Sequence, residues 1–447
     1  MIVVVAGNLR TMDPERPLAE AMALHGDRIV AVGDRETVLA SCPAGTPVHD
    51  VGTATVLPGL IDAHLHLVRG GVKLLQEMGD AEHPLADFLA TMDATGLADD
   101  PDGVPVTTAD RLAGLRRIQP LLHELGLTGV IDPAATDEEV AAYQAAWEAG
   151  ELTIRVVAMP YPDVDAGVDA AIERLRGIGV RTGFGDDVLR LGGIKVYFDG
   201  EGMKSQALRS TPWPDTGSCG YQRIPSEEFA RLAGFCAENG WSIGVHAVGD
   251  AAVTAVVAAF EAADATASIA GRQWQIIHGY LETPVEAMRT AARLGVVASL
   301  QPSIALRNAA GLVGKLGESA HTLNPMRSWL DAGARVALGS DGPFFPFDPR
   351  ELIHSAVTRR MRGFDAPLAP GEAITMEEAL RGYTSAAAAA SFAGDRRGML
   401  RAGCLADWTV FDIDPVAAGP EAFRNARTLQ TAVGGRVVFP IPARRFV

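Results

Sequence analysis

Two histidines separated by a single residue are the first side chains in this chain that could act together chemically. His64 and His66 lie in P-G-L-I-D-A-H-L-H-L, residues 58–67, at the end of an apolar run that predicts a β-strand. Side chains alternate between the two faces of a strand, so this spacing places both imidazoles on one face. Two imidazoles on one face could bind the same metal ion, although H-x-H alone is not a specific motif.

Three further candidates each stand at the end of a predicted strand. They are His246 in I-G-V-H-A-V-G-D, His278 in Q-I-I-H-G-Y and Asp341 in A-L-G-S-D-G-P. The C-terminal ends of parallel strands converge on one side of a βα fold, so residues far apart in sequence can assemble there. Imidazole nitrogens and a carboxylate suit zinc, with iron, manganese or cobalt as alternatives. Together with the first pair, these residues predict a metal site.

A lysine occupies the corresponding position on another predicted strand. Lys195, in G-G-I-K-V-Y-F-D-G, follows small and apolar residues that would bury its stem. A protonated amine beside a divalent cation would be repelled strongly at low dielectric. If Lys195 faces the metal site, it must be neutral, paired with a carboxylate such as Asp199, or covalently changed into an anion. Buried lysines lose their proton readily, so a neutral amine is chemically accessible.

The middle of the chain alternates strand-like apolar runs with amphipathic helix-like runs. Thr136 and Glu139 form a capping box that predicts the start of one helix, and Gly150 predicts its end. This alternation predicts an α/β fold with parallel strands, either a (β/α)8 barrel or an open doubly wound sheet. A closed barrel needs eight strands, and the apolar runs predict eight strand ends, near His66, Ile131, Met159, Phe198, His246, His278, Leu300 and Ser340.

The two ends of the chain differ from its middle. Short apolar runs on either side of glycine-containing turns predict β-hairpins over residues 21–32 and 429–439. Hairpins at both ends of a βα core predict one small β-domain built from residues 1–55 and 395–447, with residues 56–394 forming the core domain.

One connection is unusually long for a βα fold. The segment 68–111 has acidic and proline residues at 99–105 and little sustained periodicity. Loops of this length are often lids or mobile segments, so the segment predicts either a lid or a surface loop without a chemical role.

Composition restricts the classes of protein that fit. Of the 447 residues, 48% are hydrophobic and 21% are charged, which is typical of a globular chain with a large buried core. A net charge of -16 disfavours nucleic-acid partners, and no apolar run is long enough to predict a membrane span. Four scattered cysteines and the lack of an export signal predict a cytoplasmic protein. A homodimer is expected because symmetric dimers are common.

Several longer motifs resemble one superfamily from end to end. D-R-I-V-A-V-G, P-G-L-I-D-A-H-L-H and R-G-M-L-R-A-G-C-L-A-D-W-T-V-F-D resemble the amidohydrolase superfamily of metal-dependent hydrolases. Within it, K-V-Y-F-D-G-E-G-M-K-S-Q-A-L, W-P-D-T-G-S-C-G-Y and H-A-V-G-D resemble the YtcJ-like amidohydrolases, the amidohydrolase 3 group. The chain departs from them in one respect: Lys195 follows His66 by only 129 positions, where YtcJ-like chains usually carry a large insertion.

The resemblance implies a (β/α)8 TIM barrel with a small β-sandwich domain formed from both chain ends. It also implies a divalent metal centre, most often of two zinc ions, in which Lys195 is an N6-carboxylysine that bridges the ions. A carbamate there would resolve the charge conflict noted above, because it supplies anionic oxygens. The metal ligands that the resemblance implies are His64, His66, Lys195, His246, His278 and Asp341.

The leading functional hypothesis is hydrolysis of an amide or related C–N bond of a small molecule. A divalent metal makes water nucleophilic near neutral pH and polarises a carbonyl, and Asp341 is the expected proton shuttle. With one metal, His278 or His246 could polarise the carbonyl instead. The alternatives are deamination of an N-heterocycle at a single metal, with an uncarboxylated Lys195, and a non-catalytic barrel assembly protein.

Aromatic residues near the predicted strand ends suggest an apolar wall around a substrate. Each of them could equally pack its own loop onto the fold. Arg223 and Arg307 could recognise a carboxylate, but lone arginines are usually solvated. The predicted substrate-binding residues are Trp213, Tyr221, Phe344 and Phe345.

Overall fold

Strands and helices alternate along the chain in a computed structural model, which describes residues 2–79, 81, 83–95 and 105–439. Within these ranges, no helix combines the length and the apolar character that crossing a membrane requires. The strands are β1 (Ile2–Arg10), β2 (Leu18–His25), β3 (Arg28–Gly33), β4 (Val48–Asp50), β5 (Thr55–Pro58), β6 (Leu60–Asp62), β7 (Leu127–Ala135), β8 (Arg155–Pro160), β9 (Leu189–Leu191), β10 (Ile194–Tyr197), β11 (Ile243–Ala247), β12 (Gln275–His278), β13 (Val297–Leu300), β14 (Arg335–Leu338), β15 (Trp408–Phe411), β16 (Thr428–Val433) and β17 (Arg436–Phe439). The helices are α1 (Arg35–Ala40), α2 (Leu67–Met78), α3 (Leu85–Thr95), α4 (Thr108–Glu124), α5 (Asp137–Glu148), α6 (Val168–Gly177), α7 (Ser226–Asn239), α8 (Asp250–Thr266), α9 (Val285–Arg293), α10 (Pro302–Leu316), α11 (Met326–Asp331), α12 (Pro349–Thr358), α13 (Met376–Gly382), α14 (Ser385–Ala390), α15 (Pro415–Ala418) and α16 (Pro420–Arg424).

Strands from both ends of the chain form one mixed sheet. Its order is β17-β16-β15-β5-β1-β2-β3, with β4 paired to β1. The two predicted hairpins are confirmed as β2–β3 and β16–β17. Both chain ends contribute to the mixed sheet, because β5 is hydrogen-bonded to β1 on one side and to β15 on the other. The two ends of the chain therefore share this sheet, whereas the sandwich arrangement and the domain boundaries near residues 55 and 395 stay predictions.

The core strands lie in two parallel sheets, β6-β7-β8-β9 and β10-β11-β12-β13-β14, with helices in most crossovers. They include the eight strands that the sequence predicts, and β9 is additional. Beyond the end of β6, Leu65 makes an isolated parallel bridge to Gly342, just after β14. Among the described strands, β9 and β10 are not paired, so the hydrogen bonds define two sheets rather than an unbroken ring. The α/β class is confirmed, and closure into a barrel stays a prediction.

The segment 68–111 is largely helical, contrary to the loop that the sequence predicts. Helices α2 and α3 fill most of its described part, and α4 begins before its end. Helices α2 and α4 cross closely at Gly71 and Gly114, where a Cβ added to Gly71 would lie 2.5 Å from the Gly114 carbonyl carbon. This packing joins residues distant in sequence, so local periodicity could not show it. Residues 96–104, which hold most of the acidic and proline stretch, lie outside the described residues.

A buried ion-pair network joins the terminal sheet to the core. The Asp407 carboxylate accepts hydrogen bonds from Arg155 Nε and Nη2, both at 2.8 Å, and from Arg397 Nε at 3.2 Å. The backbone N–H of Gly434, in the β16–β17 turn, donates to the same carboxylate at 2.8 Å. Burial alone would raise the pKa of Asp407, but the two arginines lower it below its ordinary value.

Replacing Asp407 by asparagine is expected to lower the free energy of unfolding at pH 7 by about 3–5 kcal/mol, because two buried guanidinium groups lose their anion. A carboxyl whose pKa is lower in the folded state stabilises the fold above its unfolded pKa of about 4. That contribution is lost as the pH falls through the folded-state pKa, so the difference between Asp407→Asn and the parent protein shrinks in acid. Urea unfolding at pH 7 and pH 3 measures both effects.

The matched control is the exposed pair of Glu228 and Arg231. Glu228→Gln is expected to leave the unfolding curve unchanged, because exposed ion pairs contribute little. Equal stability of Asp407→Asn and the parent protein at pH 7 would contradict a role for this network in holding the sheet to the core.

Candidate active site

His64, His66 and Asp341 meet at the carboxyl ends of β6 and β14. Asp341 Oδ1 lies 3.3 Å from His64 Nε2 and 3.3 Å from His66 Nε2. Backbone pairing brings them together, since the Asp341 N–H donates to the His64 carbonyl at 2.7 Å. One nitrogen or oxygen atom from each of the three lies within 4.8 Å of the other two. This triad could hold a metal ion.

His246 and His278 extend the cluster along the neighbouring strands. His246 is the penultimate residue of β11 and His278 is the last residue of β12, and the parallel register places Ala247 opposite His278. The ring centroids of His246 and His278 are 4.5 Å apart, and those of His278 and His64 are 5.2 Å apart. All six predicted metal ligands line one cavity of about 500 Å³. The structure therefore brings together residues that the sequence places on five separate strands.

Lys195 contributes a buried amine to the same cavity. The residue is only 1% exposed, and its Nζ has no hydrogen-bond partner among the described residues. Its Nζ lies 5.3 Å from the centre of the Tyr197 ring. Burial lowers the pKa of Lys195 to about 7. The suggested pairing with Asp199 is wrong, since that carboxylate instead accepts hydrogen bonds from the backbone N–H groups of Leu208, Val248 and Gly249.

Burial also sets the charges of the other donors. It lowers the pKa of His64 to about 4 and that of His246 to about 3, and it lowers the pKa of His278 well below its ordinary value. Burial alone would raise the pKa of Asp341, but the adjacent histidines lower it well below its usual range. Neutral imidazoles and an ionised carboxylate are the forms that bind a metal.

His66 differs from the other three histidines. Burial acts to lower its pKa, but the nearby carboxylates of Asp132 and Asp341 raise it above its ordinary value. Asp132 Oδ1 lies 3.6 Å from His66 Nδ1, and its other oxygen accepts the backbone N–H of Leu67 at 3.0 Å. Asp132 therefore lies on the side of the ring opposite Asp341, where it can orient His66.

The strand ends adopt conformations that bring the ligands close. His278 has φ 80° and Asp341 has φ 56°, which is uncommon for residues other than glycine. Such conformations persist where the surrounding structure enforces them, and they often occur at functional sites. Gly339, just after β14, lies close to the backbone of His64. A Cβ added at Gly339 would be only 2.5 Å from the His64 backbone nitrogen.

The predicted aromatic wall is only partly present. Phe344 and Phe345 line the cavity, and the Phe344 ring is 5.1 Å from that of His66. Trp213 and Tyr221 lie outside the cavity lining. Trp213 is fully buried, with its ring 4.9 Å from the Arg209 guanidinium carbon, and Tyr221 is 44% exposed. The loop after β10 is hydrogen-bonded to itself, for example from the Trp213 N–H to the Ser218 carbonyl.

Neither of the two arginines that the sequence suggested for carboxylate recognition lines the cavity, but each contacts a residue that does. Arg307 Nη1 donates to the Phe344 carbonyl at 2.8 Å, and the Arg223 guanidinium lies 5.3 Å from the Tyr197 ring centre. Tyr197, which the sequence did not predict as a site residue, lines the cavity beside Arg69.

Comparison with known proteins decides the family. The sequence profile of the amidohydrolase family matches residues 85–439. The chain belongs to the amidohydrolase family. The resemblance noted in its motifs is thereby confirmed. This amidohydrolase is 26% identical to the N-substituted formamide deformylase of Arthrobacter pascens, over 97% of each chain, and 29% identical to the amidohydrolase YtcJ of Bacillus subtilis (strain 168), over 56% of this chain and 47% of that protein.

A solved structure shares the fold of this amidohydrolase. A metal-dependent hydrolase from Pyrococcus horikoshii OT3 superposes with a TM-score of 0.77, at 20% identity, over 94% of this chain and 99% of that one. The alignment with the deformylase spans 538 positions, more than the 447 residues of this chain. The deformylase therefore carries insertions that this amidohydrolase lacks.

Proposed function

We propose that this amidohydrolase cleaves an amide or related C–N bond of a small molecule in a metal-dependent reaction. The observation that carries the proposal is the convergence of His64, His66, Lys195, His246, His278 and Asp341 on one cavity. The family assignment supports hydrolysis, and the similarity to a formamide deformylase supports a C–N bond as its target.

The donor set fits two divalent metal ions, of which zinc suits imidazole and carboxylate best. His64, His66 and Asp341 would hold one ion, and His246 and His278 the other. Lys195, whose Nζ has no hydrogen-bond partner among the described residues, would supply a further ligand as an N6-carboxylysine. Its neutral amine would add to carbon dioxide, release a proton and become an anionic carbamate. Bound metal ions would lower the pKa of water and polarise the scissile carbonyl.

Asp341 would move the proton in this reaction. Its carboxylate stays ionised beside His64 and His66, so it can accept a proton from the attacking water. It would then deliver that proton to the departing nitrogen, which leaves as an amine. Phe344 and Phe345 would exclude bulk water and contact an apolar substituent of the substrate.

The proposed frame for this site is a (β/α)8 barrel formed by the two parallel sheets within residues 56–394. Packing supports closure, because side chains from both sheets share one apolar cluster that includes Ile61, Ile131, Val157, Ile277 and Val297. The metal ligands would then lie at the carboxyl end of the barrel, where barrel enzymes carry their active sites. A homodimer and a cytoplasmic location stay predictions.

One observation favours the alternative deaminase. His64, His66 and Asp341 alone already form a compact triad for one ion. In that case Lys195 would remain an amine, and His246 or His278 would polarise the substrate. The two functions differ in metal stoichiometry and in product, since a deaminase releases ammonia from an N-heterocycle. A non-catalytic assembly protein would not need six potential metal ligands in one cavity.

Metal-dependent release of formate from N-substituted formamides tests the proposal. Zinc-loaded protein is expected to hydrolyse such a formamide or a related N-acyl amine, to lose this activity on dialysis against a chelator, and to regain it with zinc. Ammonia release from N-heterocycles is measured in parallel to test the deaminase. Formamide hydrolysis that persists unchanged in metal-free protein would contradict the proposal.

A further inference from the structure

Strand β13 lies between β12 and β14, which lead to His278 and Asp341, and it is followed by a residue that contacts one of these predicted ligands. That residue is Gln301, which follows directly after β13. Gln301 is 2% exposed, and its Oε1 lies 2.8 Å from His278 Nδ1. This is the shortest contact that the structure gives to a ring nitrogen of any of the four site histidines among the described residues.

The surroundings of Gln301 determine which way its amide points. Its Nε2 lies 3.1 Å from the Ser299 carbonyl, and a carbonyl oxygen can only accept a hydrogen bond. The donor end of the amide must therefore face Ser299, so the oxygen faces His278. Because that oxygen can only accept, the Nδ1 of His278 carries the proton. A neutral imidazole has one protonated nitrogen, which leaves a lone pair on Nε2.

Buried backbone contacts hold Gln301 in this position. Asn324 Nδ2 donates to the Gln301 carbonyl at 3.3 Å, and the backbone N–H of Ile304 donates to the same oxygen at 3.3 Å. Gln301 also precedes the first turn of α10. Both its backbone and its side chain are thus attached to surrounding elements, so the amide cannot turn freely.

We propose that Gln301 is a positioning residue that fixes the tautomer and ring orientation of His278, so that Nε2 is the nitrogen presented to the metal. Histidines that bind metals generally donate their other N–H to an oxygen acceptor, which orients the ring and increases its basicity. The proposal rests on the metal centre proposed above. Gln301 would thus have a role without being a metal ligand itself, and Nε2 would be the ligating atom of His278.

Zinc affinity tests this role directly. Gln301→Leu removes the acceptor and is expected to weaken the zinc site that includes His278 by about 10- to 100-fold, measured by competition with a chromogenic chelator. Gln301→Glu keeps an acceptor oxygen for His278 but loses the donor to the Ser299 carbonyl, so it is expected to retain more zinc affinity than Gln301→Leu. Gln275→Leu is the matched control, because Gln275 is equally buried on β12 and its oxygen has no hydrogen-bond partner among the described residues.

A second measurement reports on the tautomer without metal or substrate. In protein labelled with ¹⁵N-histidine, the His278 signals, assigned with His278→Gln, are expected to show a protonated Nδ1 in the parent and a mixture of tautomers in Gln301→Leu. Parent-like zinc affinity in Gln301→Leu, or a proton on Nε2 in the parent, would overturn the inference. A parent protein that binds no zinc would instead overturn the proposed function, while the tautomer would still test Gln301.

Discussion

Asp341→Asn is expected to lower kcat for formamide hydrolysis by about 10²- to 10⁴-fold, the range that general acid–base groups contribute. Asparagine has nearly the same shape and keeps one oxygen toward His64 and His66. It cannot accept the proton of the attacking water or deliver one to the leaving nitrogen. Steady-state kinetics at saturating zinc, together with the zinc content of each preparation, separate loss of proton transfer from loss of metal.

Asp348→Asn is the control for this substitution. Asp348 lies on the same segment, caps α12 and pairs with Arg350, and it is outside the cavity lining. Its replacement is expected to leave kcat unchanged even if it lowers stability. Zinc-loaded Asp341→Asn with more than one tenth of the parent kcat would contradict the assignment of Asp341 as the proton shuttle.

Lys195→Met is expected to bind one zinc ion fewer than the parent and to lose kcat by at least about 10²-fold, because the carbamate would supply the oxygens between the ions. Methionine fills the buried space of the lysine stem but cannot add carbon dioxide. Metal analysis by mass spectrometry and the kcat for formamide hydrolysis measure the two effects. Added acetate or formate is expected to restore part of the activity by providing a replacement carboxylate.

Lys195→Arg sharpens this test. Arginine keeps a long cationic stem, but its guanidinium stays protonated and cannot form the carbamate. It is therefore expected to lose metal as Lys195→Met does. Parent protein loaded in ¹³C-bicarbonate is expected to show a carbamate ¹³C signal that both variants lack. Full occupancy by two zinc ions in Lys195→Met would contradict the bridging role.

The sequence predicted the site better than its surroundings. Apolar runs locate parallel strands, and in a βα fold the ends of those strands converge, so the placement of His246, His278 and Asp341 could be predicted from position alone. The pairing of Lys195 with Asp199 could not be judged in the same way. Three backbone N–H groups satisfy that carboxylate, and only three-dimensional structure brings them to it.

Other errors have equally specific causes. Helices α2 and α3 were not predicted, although the apolar residues of α2 lie on one helical face. The close approach of α2 to α4 at Gly71 and Gly114 joins residues distant in sequence, so it could not be predicted from local pattern. Trp213 does not line the cavity as predicted, because the loop buries its ring against Arg209, and residue type alone does not show the direction of a side chain. Gln301 was not predicted because its amide does not titrate and its contact with His278 exists only in the folded structure. Its position immediately after β13 was the available signal.

Anomalous scattering at the zinc edge, from crystals of protein purified without chelator and supplied with zinc, tests the central claim most directly. We expect two peaks in the cavity, one beside His64, His66 and Asp341 and one beside His246 and His278, with carbamate density extending from Lys195. One peak and a free lysine would favour the deaminase. No peak at these residues would contradict metal-dependent catalysis at this site.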